Sequence, residues 1–191
     1  MSISIHTPDT YISMPWKNGK GNTIELLKEN ADCNGSFNWR LSKAQVSTDG
    51  EFSWFENVER TLVLLSGTGI TLDHQHSPRH VLIEPLQFAQ FSGAETTTAS
   101  LHKGPIEDFN IMTKKGCCHA NVITNEYARD ATVNNQFDLL LIYSVSANIM
   151  VSPESKDPLD LPAQHLLKVQ SNVKSVDLFG GPFIAIGIDY E

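Results

Sequence analysis

Thr61-Leu-Val-Leu-Leu65 and, 77 residues further on, Asp138-Leu-Leu-Leu-Ile142 are short apolar runs of the same character. Sliding the chain by that amount without a gap also sets Leu82 on Leu159, Pro85 and Gln87 on Pro162 and Gln164, and Leu101, Gly104 and Pro105 on Leu178, Gly181 and Pro182. The identities are few, but they fall on turn formers and strand cores, the positions an architectural repeat keeps. The chain therefore reads as two tandem β units.

Working outward, helical periodicity is scarce. Short β-rich runs bounded by Gly, Pro, Asn and Asp recur instead, at Phe37–Val46, Gly69–Leu72, His80–Ile83, Phe109–Met112, Phe137–Val145 and Phe183–Ile188. Many short strands with frequent turn signals predict a sandwich or barrel. The polar stretch Ala128–Gln136 reads as a loop. A length of 191 residues suits one sizeable core or two small β units, and 40% apolar with 19% charged residues marks a globular chain.

The repeat also separates polar positions from structural ones. Arg60, Asp108 and Asn110 fall on Phe137, Ala185 and Gly187, whereas apolar Phe109 and Ile111 fall on apolar Ile186 and Ile188. A single ligand pocket would belong to the first unit.

Strand alternation assigns faces there. In Phe37–Val46 it groups Arg40 and Ser42 with Ala44 and Val46, opposite Trp39 and Leu41. Arg60 shares a face with Leu62 and Leu64, so a charge buried there needs a partner. Asp108, Asn110 and Met112 share another face, as do Thr23 and Glu25, and the aromatics of Gly50-Glu-Phe-Ser-Trp-Phe55 are placed to pack a barrel mouth. Two readings fit this polar set: rim ion pairs, which are common and weak, or a carboxylate site, because the planar fork of arginine grips a carboxylate through two hydrogen bonds.

Other motifs carry less. Trp16-Lys-Asn-Gly-Lys-Gly21 is a glycine-bracketed loop without the spacing or ending of a phosphate-binding P-loop. Asp73-His-Gln-His-Ser-Pro-Arg-His80, with Glu84 beyond, superficially resembles a metal-binding stretch, but Ser77-Pro78 marks a hairpin turn, so no metal is expected. The remaining histidines, His6, His102, His119 and His165, form no triad pattern. Cys33, Cys117 and Cys118 are neither a disulfide framework nor spaced as metal ligands.

A net charge of -8 and only four arginines, Arg40, Arg60, Arg79 and Arg129, argue against a nucleic-acid partner. Met1–Tyr11 has no secretory pattern, and no segment reaches the roughly 20 apolar residues that span a bilayer. A soluble cytoplasmic protein without a membrane partner is the expectation, and exposed strand edges leave room for a homodimer.

The motifs now in hand resemble those of the HutD/Ves family. Trp16-Lys-Asn-Gly-Lys-Gly-Asn-Thr-Ile-Glu25, Trp39-Arg-Leu-Ser-Lys-Ala-Gln-Val46, Gly50-Glu-Phe-Ser-Trp-Phe55, Arg60, Gly67-Thr-Gly69, Gly104-Pro105 and Asp108-Phe-Asn-Ile-Met112 occur in the family's order. Lys20 departs from it, standing where the family often has glycine. The resemblance implies an all-β bicupin, two tandem cupin-like jelly-roll barrels in one compact chain, here divided into 1–112 with the pocket and 113–191, mainly structural. It further implies a link to histidine utilisation, which the family is thought to restrain by binding N-formyl-L-glutamate or a related intermediate; some members are described only as stress- or cold-inducible.

The leading expectation is a non-enzymatic binder of a small acidic metabolite, without metal, cofactor or catalytic residue. Lys17, Arg40 and Arg60 would meet carboxylates, Asn18, Thr23, Ser42 and Asn110 would supply hydrogen bonds, and Glu25 and Asp108 would orient the basic groups. The alternatives are an isomerase or hydrolase of a small acid with Glu25 or Asp108 as general base, an oxygenase using His74, His76 and Glu84, and a purely structural role.

Overall fold

The computed structural model describes residues 3–16, 21–31, 36–127 and 129–191. In chain order the first strands are β1 (Ile3–His6), β2 (Ile12–Pro15), β3 (Gly21–Asn30), β4 (Phe37–Val46), β5 (Gly50–Glu51), β6 (Val58–Ser66), β7 (Ile70–His74), β8 (His80–Leu82), β9 (Phe88–Ser92), β10 (Thr97–Leu101) and β11 (Ile106–Lys114). The rest are β12 (Cys118–Asn125), β13 (Ala131–Asn134), β14 (Leu139–Ser144), β15 (Ile149–Pro153), β16 (Leu159–Leu161), β17 (Leu166–Gln170), β18 (Ser175–Gly180) and β19 (Phe183–Tyr190). A 3-10 turn at Pro8–Thr10 is the one helical element among the described residues. No helix of the described residues is long and apolar enough to cross a membrane.

Two compact units result, Tyr11–Cys118 and Met1–Thr10 with His119–Glu191. The boundary expected at 112/113 thus falls inside β11, and β1 pairs with β17 of the C-terminal unit. Unit Tyr11–Cys118 holds a six-stranded sheet, β2-β3-β4-β11-β6-β9, and a four-stranded one, β5-β10-β7-β8. The other holds β1-β17-β14-β19-β12 and β13-β18-β15-β16. Each unit is a pair of separate sheets, not a closed barrel. The stretch expected as a loop at 128–136 contains β13, whose residues Ala131–Asn134 pair with β18.

Strand order repeats between the units. The series β9-β6-β11-β4 corresponds to β17-β14-β19-β12, and β5-β10-β7-β8 to β13-β18-β15-β16. The 77-residue slide sets Ile106–Lys114 almost on Phe183–Tyr190, but the first strand of the pair slips by one: Asn110 faces Leu62, while Gly187 faces Leu140. By register Arg60 therefore corresponds to Asp138, not Phe137.

Both cores are mainly aliphatic. Leu62, Leu64, Ile70, Leu72, Phe91 and Ile106 anchor one, and Leu140, Ile142, Val151, Leu167, Leu178 and Phe183 the other. The central strand β4 is buried on both faces, with Trp39 and Leu41 on one and Ser42, Ala44 and Val46 on the other. That small, mostly uncharged inner face is what makes room for a polar cluster.

Candidate functional site

Register across the six-stranded sheet sets the cluster in rows. Arg40 faces Met112, Met112 faces Arg60, and Arg60 faces Phe91; one step along, Ser42, Asn110 and Leu62 are neighbours; beyond them come Ala44, Asp108 and Leu64. Thr23 and Glu25 join from β3, opposite Ala44 and Ser42. Alternation alone gathers these seven expected site residues on one sheet face. Lys17 and Asn18 lie outside the described residues.

Arg60 is 6% exposed. Its guanidinium carbon lies 5.1 Å from the ring centres of Phe52 and Phe91 and 5.6 Å from that of Phe55, so three π faces receive its charge. Nη2 donates to Asn110 Oδ1 at 2.8 Å, and Nη1 makes a long contact of 3.5 Å to the Ser53 carbonyl. Buried Nε has no hydrogen-bond partner among the described residues. Burial lowers the Arg60 pKa from its ordinary value to about 10, with Asp108 opposing the fall and Arg40 adding to it. At neutral pH it remains a cation whose donors are incompletely used.

Asp108 is 1% exposed. Burial pushes its carboxyl from 3.8 to about 7, while Arg60 and the Asn110 hydrogen bond pull it down and Glu107 pushes it up. Asn110 Nδ2 donates to Asp108 Oδ1, so one amide accepts from Arg60 and donates to Asp108. Arg60 and Asp108 make no ion pair within 4.0 Å among the described residues; the amide stands between them.

Arg40 is held differently. Its Nε donates to Glu25 Oε2 at 2.8 Å, and exposed Lys28 approaches Glu25 Oε1 at 3.3 Å. In a regular strand, residues three apart point to opposite faces. A register shift between Glu25 and Leu27 turns Lys28 to the face of Arg40 and permits the contact. Thr23 accepts the Trp16 indole N–H at 2.8 Å. The indole lies where a Cβ on Gly21 would stand, which requires glycine there.

Sequence reasoning assigned the aromatics of Gly50–Phe55 to packing and gave Phe91 no role. In the structure Phe52, Phe55 and Phe91 surround Arg60, while Trp54 between the first two is 59% exposed. A buried arginine beside an aromatic-rich turn was the available signal for Phe52 and Phe55. Phe91, alternating with Ala89 on an apolar strand, gave none. A separate open groove of about 430 Å³ at the other end of these strands is lined by Asn22, Lys43, Gln45, Ser66 and Glu107, without Arg60.

The second unit lacks the Asp108 and Asn110 part of the polar chain. Ala185 and Gly187 occupy the positions of Asp108 and Asn110, and a Cβ on Gly187 would run into the Phe137 ring.

The histidine stretch forms a turn: β7 ends at His74 and β8 resumes at His80. His74 Nδ1 meets Thr97 Oγ1 at 2.9 Å and its Nε2 meets His80 Nδ1 at 3.0 Å, while exposed His76 and Ser77 donate backbone N–H to Glu95 at 2.5 and 2.6 Å. Burial and then His80 lower the His74 pKa from 6.5, against Glu95 and Asp73. Among the described residues no group of three or more His, Cys, Asp or Glu could hold a metal ion. Buried Cys118 sits against the Asn38 carbonyl at 3.2 Å, and Cys117 is half-buried.

Fold and site together define an all-β, cupin-like protein with one arginine-centred polar interior. The chain belongs to the HutD family, whose model matches residues 8–179. Its structure is similar to that of a conserved protein of unknown function from Pseudomonas aeruginosa PAO1, 25% identical with a TM-score of 0.88, covering 99% of this chain and 100% of that one. HutD from Pseudomonas fluorescens SBW25, in a formate condition, is 28% identical with a TM-score of 0.81 and 99% coverage of both chains. Protein Ves from Escherichia fergusonii is 40% identical over 108 residues, 56% of each chain.

Proposed function

We propose that this chain is a non-enzymatic bicupin that binds a small acidic metabolite such as N-formyl-L-glutamate in its first unit and thereby modulates histidine utilisation or a stress response. In this reading it acts in the cytoplasm, without metal, cofactor, nucleic acid or membrane. The observation that carries the proposal is Arg60: a cation 6% exposed, on three aromatic rings, with a buried N–H that meets no acceptor among the described residues. Burying a charge with unused donors is costly, and a carboxylate is the ligand that recovers the cost. Arg40, steadied by Glu25, and Lys17 would meet a second carboxylate, and Asn18, Thr23, Ser42 and Asn110 would fix its orientation. Ala185 and Gly187 at the positions of Asp108 and Asn110 in the other unit, with the Phe137 ring over Gly187, support one site per chain.

Calorimetry with N-formyl-L-glutamate, urocanate, glutamate and histidine tests the proposal. Binding of an acid that is abolished by Arg60→Ala, with the fold kept by circular dichroism, is the expected result. Absence of binding at millimolar ligand rejects the metabolites tried, and undiminished affinity in the variant removes Arg60 from the site. A second reading, an isomerase or hydrolase of a small acid, is favoured by one feature, the titration of Asp108 near neutrality. Turnover of a bound acid, followed by NMR, decides between them.

A further inference from the structure

We infer that the site takes up a proton together with its anion, and that Asp108 is the group that receives it. The inference rests on the acid-binding reading above and adds how that binding is regulated.

The inner face of β6 contributes Arg60, that of β4 contributes Arg40, that of β3 contributes Glu25, and that of β11 contributes Asp108. Phe91 of β9 and the core residues Ile70, Leu72 and Ala99 of β7 and β10 add no charge, and the titratable His74 of β7, its ring 4.9 Å from that of Phe91 and in contact with His80 of β8, is held by burial below its ordinary 6.5 and so is neutral from pH 7 to pH 9. Glu25 is occupied with Arg40 at 2.8 Å, and Lys28 reaches it from the solvent side, where its charge is screened. Glu107, beside Asp108 in the chain, pairs with Lys43 at 3.4 Å. Among the described residues, what remains is Arg60 and Asp108, one positive and one negative group buried together, sharing Asn110.

Asn110 leaves this arrangement little freedom. Its carbonyl oxygen accepts from Arg60 and its amide nitrogen donates to Asp108, so a flip of the amide would break both bonds. Among the described residues, the Asp108 carboxylate therefore relies on the Asn110 amide N–H and on the field of Arg60. A carboxylate placed on Arg60 cancels that field and puts a second anion in the same low-dielectric space. Two buried anions facing one cation restore neutrality by protonating the more deeply buried group. Asp108, already raised to about 7, is poised for this near neutral pH. The balance is simple: one ligand anion and one solvent proton enter, and the Asp108 O–H bond is the only bond formed.

Consequences follow by linkage. If binding raises the Asp108 pKa by one unit, about 0.4 of a proton is taken up per ligand at pH 7, and the Kd weakens about fivefold between pH 7 and pH 9, more for a larger shift. Titration calorimetry of the full chain with N-formyl-L-glutamate, at pH 7 in PIPES and in Tris, reads the uptake as a difference in heat between buffers. Wild type should show it; Asp108→Asn should bind with the same heat in both buffers and a Kd that does not change from pH 7 to pH 9. Equal heats for wild type in the two buffers, or uptake that persists in Asp108→Asn, overturns the inference while leaving acid binding intact. Because the wild-type comparison needs no variant, poor folding of Asp108→Asn does not protect the inference. No binding of the probe at either pH would instead reject the acid-binding reading itself for that probe, and the inference with it.

Discussion

Replacing Asp108 by Asn should stabilise the free protein, by an amount that grows with pH. The folded carboxyl titrates at about 7, the unfolded one near 3.8. Between these values the folded state holds a proton that the unfolded state has lost, so the contribution of Asp108 to stability is fully present below about pH 4 and is lost as pH rises through 7. A shift of about three units at roughly 1.4 kcal/mol each sets a ceiling of about 4 kcal/mol on that loss. Relaxation around the ionised group reduces it, and about 2 kcal/mol is the expected difference at pH 8. Asn keeps the shape of the side chain and an oxygen for the Asn110 amide, so little else changes. Urea melts of both proteins at pH 4.5, 6 and 8 provide the measurement, since all other titrating groups cancel in the difference. The advantage of the variant should be smallest at pH 4.5 and largest at pH 8. A variant less stable than wild type at pH 8, or a difference that does not change with pH, would refute a buried, proton-holding carboxyl.

Three further outcomes test separate parts of the structure. Arg60→Met should abolish acid binding yet leave the thermal midpoint at or above that of wild type, because an apolar chain of similar length suits the aromatic surround better than an incompletely bonded cation; a midpoint lowered by more than a few degrees would mark Arg60 as a structural residue. Gly187→Ala should cost about 2 kcal/mol or more, since its Cβ enters the Phe137 ring, and pairing it with Phe137→Leu should recover part of that loss; an unaffected urea midpoint contradicts the packing described. His74 is depressed below its ordinary 6.5, so its contribution to stability is present above that pH and disappears as pH falls through the folded value. His74→Gln should flatten the stability profile between pH 7 and pH 5, and an unchanged slope would exclude His74 as a source.

The inner face of the first unit was legible because strand alternation is local. Arg40 and Ser42 on β4, and Asp108 and Asn110 on β11, need only a period of two to be placed on one face, and both strands are regular across their shared register. Lys28 was not legible, because its approach to Glu25 depends on a register shift that no alternation rule anticipates. Nor was the strand at Ala131–Asn134, whose polar composition conceals pairing with the distant residues Leu178–Ser175. The ungapped repeat found the correspondence between the units but set Arg60 on Phe137, one residue from the register partner. Even so, the chemical contrast it suggested stands: Arg60, Asn110 and Asp108 in one unit, a phenyl ring over Gly187 in the other.

The most direct test of acid binding at Arg60 is a crystal structure of the protein with N-formyl-L-glutamate. The expected result is a ligand carboxylate within about 3 Å of the Arg60 guanidinium nitrogens, between Phe52, Phe55 and Phe91. A ligand seated in the other unit, or on the surface with the Arg60 contacts unchanged, would contradict it.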